Sequence, residues 1–261
     1  MKVATFNVNS VRSRLPVLAR WIPEAQPDIL ALQETKVRDE EFPRNELESL
    51  GYHVEFRGEK AYNGVAVLSR RPPDEVTFGF DDSGPADPTR LVLVRFGDLW
   101  LLNTYVPQGR EITHEFYQYK LEWFRRLRQF LGRHFQPNRD RILWVGDMNV
   151  AAEPEDVHAP EEYTEHVCFH QAARDAFRQC REWGFVDIFR QFHPEPGQFS
   201  FFDYRVPNAV RRKIGWRLDY LLATPPLAQL AKDAWIDLAP RTWERPSDHT
   251  PVVGRFELPG W

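Results

Sequence analysis

The chain has 261 residues, 42% of them hydrophobic, and a formal net charge of −4. That length and apolar content support one large domain or two small ones with a packed core, which excludes disorder. The two cysteines, Cys168 and Cys180, exclude a disulfide framework and suit a reducing compartment, where cysteine is usually a small buried hydrophobe.

The amino terminus, Met-Lys-Val-Ala-Thr-Phe-Asn-Val-Asn-Ser, is broken by amides too early for an apolar signal core, and no long apolar run follows. A soluble intracellular protein is the expectation. Residues 3–6 and 29–32 predict short buried strands flanking a helix over 11–21, despite Pro16. Further β-branched or aromatic runs bounded by Gly, Pro or Asp predict strands at 52–56, 65–68, 91–96, 99–105, 142–145, 217–222, 234–238 and 252–256. A helix begins near Thr113, repeats apolar residues at Phe116, Trp123, Phe124, Leu127, Phe130 and Leu131, and stops before Pro137. A second helix over 171–183 ends at Gly184, a residue type that accepts the left-handed conformation just past helix ends.

No low-complexity linker divides these elements, so residues 1–261 are expected to form one domain, with 153–165 as a surface insertion. Strands in hairpin-like pairs with a few helices between them predict an α/β (α+β) fold. Its two mainly antiparallel sheets would pack face to face with helices outside.

Charge distribution matters more than the net value. Arg205, Arg211, Arg212, Lys213 and Arg217 lie in a stretch without an acid, whereas residues 153–165 carry six acids and no Lys or Arg. The first stretch could face phosphate and the second could not; a solvated face is the ordinary alternative for both.

Eight polar residues interrupt or end the strands where apolar side chains belong: Asn7, Glu34, Tyr105, Asp147, Asn149, Asp219, Asp248 and His249. Strand-end loops are where a rigid scaffold presents reactive groups. Glu34 directly follows an apolar strand, and a lone buried carboxylate is costly without a cation or several donors. Oxygen ligands such as Asn7, Glu34, Asn149 and Asp248 suit a hard ion, magnesium or manganese. A surface ion pair is the alternative for Glu34 alone. His53, His114, His134, His158, His166, His170 and His193 lack comparable company and receive no role.

Phe-Asn-Val-Asn at 6–9, Leu-Gln-Glu-Thr-Lys at 32–36, Tyr62 and Gly64, and Tyr-Val-Pro-Gln-Gly at 105–109 occur in one order with four further strings. These are Gly-Asp-Met-Asn at 146–149, Trp-Gly-Phe-Val-Asp at 183–187, Gly-Trp-Arg-Leu-Asp-Tyr at 215–220 and Ser-Asp-His at 247–249. Together they resemble the exonuclease III family of apurinic/apyrimidinic (AP) endonucleases, over nearly the whole chain. The resemblance implies a four-layer α/β sandwich with the eight polar residues in a cleft at one edge. It implies that Glu34 holds a magnesium or manganese ion with Asn7 and Asp248 nearby. Asp147 would deprotonate or orient the attacking water, helped by Asn149; Asp219 would orient His249 towards the phosphate oxygens, and Tyr105 would assist there.

The superfamily also acts on inositol phosphates and sphingomyelin, so a small-molecule or lipid phosphodiesterase remains an alternative, as does a DNA-binding protein with a decayed site. Family pocket positions match Phe201, Trp216 and Leu218, an apolar box suited to a bare deoxyribose; plain core aromatics are the alternative. Phosphate contacts fall on Lys36, Arg90 and Gln108, and Arg110 and Arg205 would enter the duplex. The implied partner is double-stranded DNA with abasic sites or blocked 3′ ends. The implied enzyme is a monomer in the cytoplasm, or at the nucleoid of a bacterium.

Overall fold

The computed structural model describes residues 1–258 and 260–261. One sheet contains β1 (Lys2–Asn7), β2 (Ile29–Gln33), β3 (His53–Arg57), β4 (Val65–Ser69), β11 (Ala231–Ile236) and β12 (Val252–Phe256). The other contains β5 (Glu75–Phe78), β6 (Leu91–Phe96), β7 (Leu99–Tyr105), β8 (Arg141–Asp147), β9 (Val186–Asp187) and β10 (Asp219–Ala223). Their orders are β11-β12-β1-β2-β4-β3 and β5-β6-β7-β8-β10-β9.

Each sheet has one parallel pair, β1 with β2 and β7 with β8, among antiparallel neighbours. Parallel neighbours need a long crossover. Helix α1 (Val11–Ala25) supplies the first; after the short α2 (Arg44–Glu48), α3 (Glu115–His134) supplies the second. The two crossovers bring the carboxyl ends of four central strands to one rim, with Asn7 opposite Gln33 and Tyr105 opposite Asp147. Antiparallel β10 starts at the same rim, where Asp219 faces Asp147.

Alternation along the strands creates the layers. In β8, Ile142 and Trp144 join the core under α3 and α4 (Gln171–Arg181), whereas Leu143 and Val145 join the core between the sheets. The first sheet packs its other face, including Ala4, Phe6, Leu30 and Leu32, against Leu18, Trp21 and Ile22 of α1. This is the expected four-layer α/β sandwich. No helix among the described residues is long and apolar enough to cross a membrane.

The inter-sheet core contains one polar staple absent from the hydrophobic pattern. Asn103 Nδ2 donates to the carbonyls of Leu32 (3.0 Å) and Ala66 (2.9 Å), while its Oδ1 accepts from Gln33 Nε2 (2.7 Å). Asn103→Ala should therefore cost about 1–3 kcal/mol, as urea denaturation will measure, because the buried Leu32 and Ala66 carbonyls lose this donor and Gln33 Nε2 keeps only Thr5 Oγ1 and the Ala31 carbonyl.

Several boundaries differ from expectation. Helix α1 runs on through Pro23 to Ala25 because Trp21 and Ile22 keep its apolar face buried, and Gln26 ends it in the left-handed region. Strand β10 begins at Asp219, since Trp216 instead bridges to Phe201 and Val157. Strands β5 and β9, short and partly polar, give no clear periodic signal.

Two charge expectations need correction. The 153–165 stretch is not merely a surface insertion: Asp156 is fully buried, Val157 joins the core and Tyr163 packs against it. Arg217 cannot face phosphate, because its guanidinium is buried against Asp156 (2.7 Å) and Asp187 (2.8 Å). Acid and base that look opposed along the chain neutralise one another in space.

Candidate active site

The eight polar residues form one connected set at the rim. Asn7, the last residue of β1, donates from Nδ2 to both Glu34 Oε1 (3.2 Å) and Asp147 Oδ2 (2.8 Å). Asp147 ends β8 and accepts from the Asn149 backbone N–H at 2.8 Å; it lies 3.7 Å from His249 Nε2. His249 Nδ1 meets Asp219 Oδ2 at 2.7 Å. The Tyr105 hydroxyl neighbours Glu34, and Asp248 accepts from Asn9 Nδ2 at 3.0 Å.

The backbone that holds these groups is strained where it turns. Glu34 and Asn149 adopt φ of 51° and 49°, left-handed conformations that cost a non-glycine residue energy and persist where packing enforces them. Gly64 and Gly146 make the close approaches possible: a Cβ would sit 1.9 Å from Thr35 Oγ1 at the first and 2.0 Å from the Thr104 carbonyl at the second.

Electrostatics separates the acids. Burial pushes Asp147 up to about 7, opposed by the nearby His249. Burial also works against a charged Glu34, but Lys36, with Nζ 2.6 Å from Oε2, brings its pKa below the usual value. At His249 burial disfavours the imidazolium, yet Asp219 and then Asp147 outweigh it and raise the group to about 10. Burial raises Tyr105 well above the usual phenol range, so it stays a neutral donor.

Beside this set lies a cavity of about 420 Å³ lined in part by Phe201, Trp216, Leu218, His158, Tyr163 and His166, with Glu34, Asn149, Asp248 and His249 at its polar side. The Phe201 ring sits 4.9 Å from the His249 ring, so the apolar wall abuts the acid–imidazole chain. Gln108 and Arg205 also border the cavity. A second hollow of about 530 Å³ is lined by Arg90, Tyr105, Gln108 and Arg110, which makes Gln108 the shared edge.

The basic candidates differ in freedom. Lys36 is engaged by Glu34 and by Asn9 Oδ1 at 2.6 Å. Arg90 lies over the Tyr105 ring and donates to its carbonyl at 3.2 Å. Arg110 is exposed, 4.4 Å above the Phe116 ring, and Arg205 is exposed but paired with Asp203 at 2.6 Å.

Other site neighbours lie outside the eight strand-end residues. Ser200 Oγ donates to Asp219 Oδ2 at 2.6 Å, and Asn9 links Lys36 with Asp248. Lys120, buried on α3, donates to the carbonyls of Gln108 (3.1 Å), Asn149 (2.7 Å) and Val167 (2.7 Å). Its spacing from Tyr117 and Trp123 puts it on the apolar helix face, which was a usable signal. His166 and His158, given no role in isolation, pack against Trp216 at ring separations of 4.7 and 6.4 Å.

The donor set fits a hard cation. Glu34, Asp147 and Asp248 supply carboxylate oxygens and Asn7 and Asn149 amide oxygens, without a thiolate; Glu34 and Asp147 share a single amide donor in a buried setting. Asp147, Asp219 and His249 also offer ligand atoms within 4.8 Å of one another; there Asp219 Oδ2 is already bonded to His249 Nδ1, while Asp219 Oδ1 is buried without a partner.

Fold and site together bring acids, amides and one imidazole into one cluster at the edge of a two-sheet sandwich. The sequence profile of the endonuclease/exonuclease/phosphatase family matches residues 4–249. Exodeoxyribonuclease III of Haemophilus influenzae is 34% identical, over 98% of this chain and 100% of its own. An AP endonuclease from Archaeoglobus fulgidus superposes with a TM-score of 0.96 at 48% identity, covering 99% and 100% of the two chains. A 3′-5′ exonuclease from Neisseria meningitidis gives 0.93 at 35% identity, with 99% and 100% covered. The chain belongs to the endonuclease/exonuclease/phosphatase family, as a hydrolytic nuclease of its exodeoxyribonuclease III branch.

Proposed function

We propose that this chain is a magnesium- or manganese-dependent DNA-repair phosphodiesterase. It incises duplex DNA on the 5′ side of abasic sites, leaving a 3′-hydroxyl and a 5′-deoxyribose phosphate, and it trims blocked 3′ ends and removes 3′-terminal nucleotides. The observation that carries the reading is the Asp219–His249–Asp147 chain, one amide away from Glu34, placed directly against an apolar cavity.

Glu34 would hold the ion with Asn7 and Asp248 beside it, and Asp147 and Asn149 at the adjoining edge. When bound, such an ion supplies positive charge that polarises a phosphate oxygen and favours the ionised carboxylates. Asp147, raised to about 7, is poised to take the proton of an attacking water, and Asn149 keeps its Oδ1 fixed through the backbone N–H. Asp219, itself held by Ser200, keeps His249 Nδ1 engaged and leaves Nε2 to donate to the non-bridging oxygens as charge builds there. Tyr105, neutral across the working range, adds a second donor.

Phe201, Trp216 and Leu218 would receive the sugar. An abasic nucleotide has no base to unstack, whereas a normal one would lose a few kcal/mol of stacking before it could enter. Lys36, Arg90, Gln108, Arg110 and Arg205 would meet the flanking strands. Residues 1–261 are taken as one domain acting as a monomer on double-stranded DNA, in the cytoplasm or at a bacterial nucleoid.

Matched duplexes with and without one abasic analogue test this directly. In magnesium the abasic duplex should be cut at the lesion while the intact one is degraded only from its 3′ ends, and EDTA should stop both. Equal internal cutting of both duplexes, or cutting that persists in EDTA, contradicts the reading.

A further inference from the structure

Trp216 and Leu218 line the cavity, and Asp219 holds His249; Arg217 lies among them and turns into the protein. Its side chain is 1% exposed. It forks onto both oxygens of Asp156, at 2.7 and 3.1 Å, and meets Asp187 at 2.8 Å. Arg190, partly exposed, also pairs with Asp156, so two cations and two anions form a neutral cluster whose Asp156–Arg217 centre is buried. The backbone follows the side chains: Arg217 N donates to the Asp156 carbonyl at 2.8 Å and His158 N to the Gly215 carbonyl at 3.2 Å.

Asp156 begins the segment that continues through His158, Tyr163 and His166. Those three rings face Trp216 at 6.4, 5.0 and 4.7 Å. Both walls of the cavity are therefore tied to one charge cluster behind it. Stability alone is a poor reason for such a device, because desolvation offsets most of the attraction in a buried ion pair and apolar residues often serve as well. A planar guanidinium forked on a carboxylate does provide a single geometry, which a lysine cannot reproduce.

We propose that the Asp156–Arg217–Asp187 cluster is a positioning device that sets Trp216 and Leu218, and through them the sugar and its phosphate, against Asp147 and His249. Arg217 is a positioning residue and touches no substrate. The inference rests on the abasic-site reading and adds a specific function for its back wall.

The test uses the full-length chain in magnesium, with circular dichroism melting to choose a temperature at which each protein is folded. Arg217→Lys should lower kcat/KM on an abasic duplex by roughly 10²-fold, the scale of a displacement of about 1 Å at a reacting centre. Asp187→Asn, which leaves the Asp156 fork in place, should lower it by less. In a Trp216→Ala background the Arg217→Lys loss should shrink to a few-fold, because a residue that acts through a wall has nothing to position once the wall is gone. A general weakening of the fold would instead multiply with the Trp216→Ala loss.

Near-normal kcat/KM in folded Arg217→Lys, or losses that multiply independently, would overturn the proposal. Should Arg217→Lys fail to fold, Asp187→Asn enters the same cycle with Trp216→Ala: a loss that shrinks in that background supports the cluster, and one that multiplies overturns it. A wild type inactive on the abasic duplex would sink the functional reading and the cluster's purpose together, whereas an active wild type with indifferent variants sinks the cluster alone.

Discussion

Asp147→Asn should lower turnover of a duplex carrying one abasic analogue by roughly 10²- to 10⁴-fold in magnesium, with KM changed far less. The amide preserves the size of the side chain and can still accept the Asn149 N–H, so positioning survives while the proton acceptor is lost. Thermal stability should move the other way. Burial raises Asp147 to about 7, above its unfolded value, so the ionised carboxylate weighs against the folded state at any pH above that. Measured in EDTA at about pH 8, the variant should melt at or above the wild-type temperature. Loss of activity without loss of stability marks a group held for chemistry. Near-normal cleavage by Asp147→Asn would remove Asp147 from the mechanism, and a large drop in melting temperature would make the activity loss uninformative.

The parts of the site visible in the chain were those where chemistry contradicts strand patterning. Asn7, Tyr105, Asp147 and Asp219 each stand at the end of an apolar run, and a polar residue at such a place has to be satisfied by something. Their common location then follows from topology: parallel β1–β2 and β7–β8 pairs put carboxyl ends on the same rim. The sheet count and the outer helices followed from the same periodicities.

Residues whose role depends on a partner far along the chain were hidden. Asp156 lies in a run of six acids, and nothing local distinguishes it from Glu155 or Glu161; only Arg217, 61 positions away, makes it a buried anchor. Arg217 in turn belongs to a cationic stretch whose composition conceals its one fully buried member. The side chains on either side of it, Trp216 and Leu218, both line the cavity, and alternation places the residue between them on the other side. Asn103 and Lys120 each sit on an apolar face whose period exposes them as exceptions. His166 needed the fold itself, since a solitary imidazole says nothing about a tryptophan 50 residues away.

The Asp219–His249 pair gives the second large effect. Asp219→Asn should lower turnover by roughly 10²- to 10³-fold, the cost of losing one preorganised donor at the developing charge. Asp219 Oδ2 lies 2.7 Å from His249 Nδ1 and is itself fixed by Ser200 Oγ at 2.6 Å, so the carboxylate sets both the orientation of the ring and its charge. Burial alone would disfavour the imidazolium; Asp219, followed by Asp147, raises it to about 10. For a donor of raised pKa the charged form is complete at low pH and is lost as pH rises through that value, so wild-type activity should hold until about pH 10 before this group limits it. Removing the principal anion lets burial prevail, and the alkaline limb of the profile should move to lower pH. A merely structural defect would lower the whole profile without displacing it. Parallel profiles for wild type and Asp219→Asn would therefore dismiss the charged imidazole as the phosphate donor, and an unchanged rate would dismiss the pair.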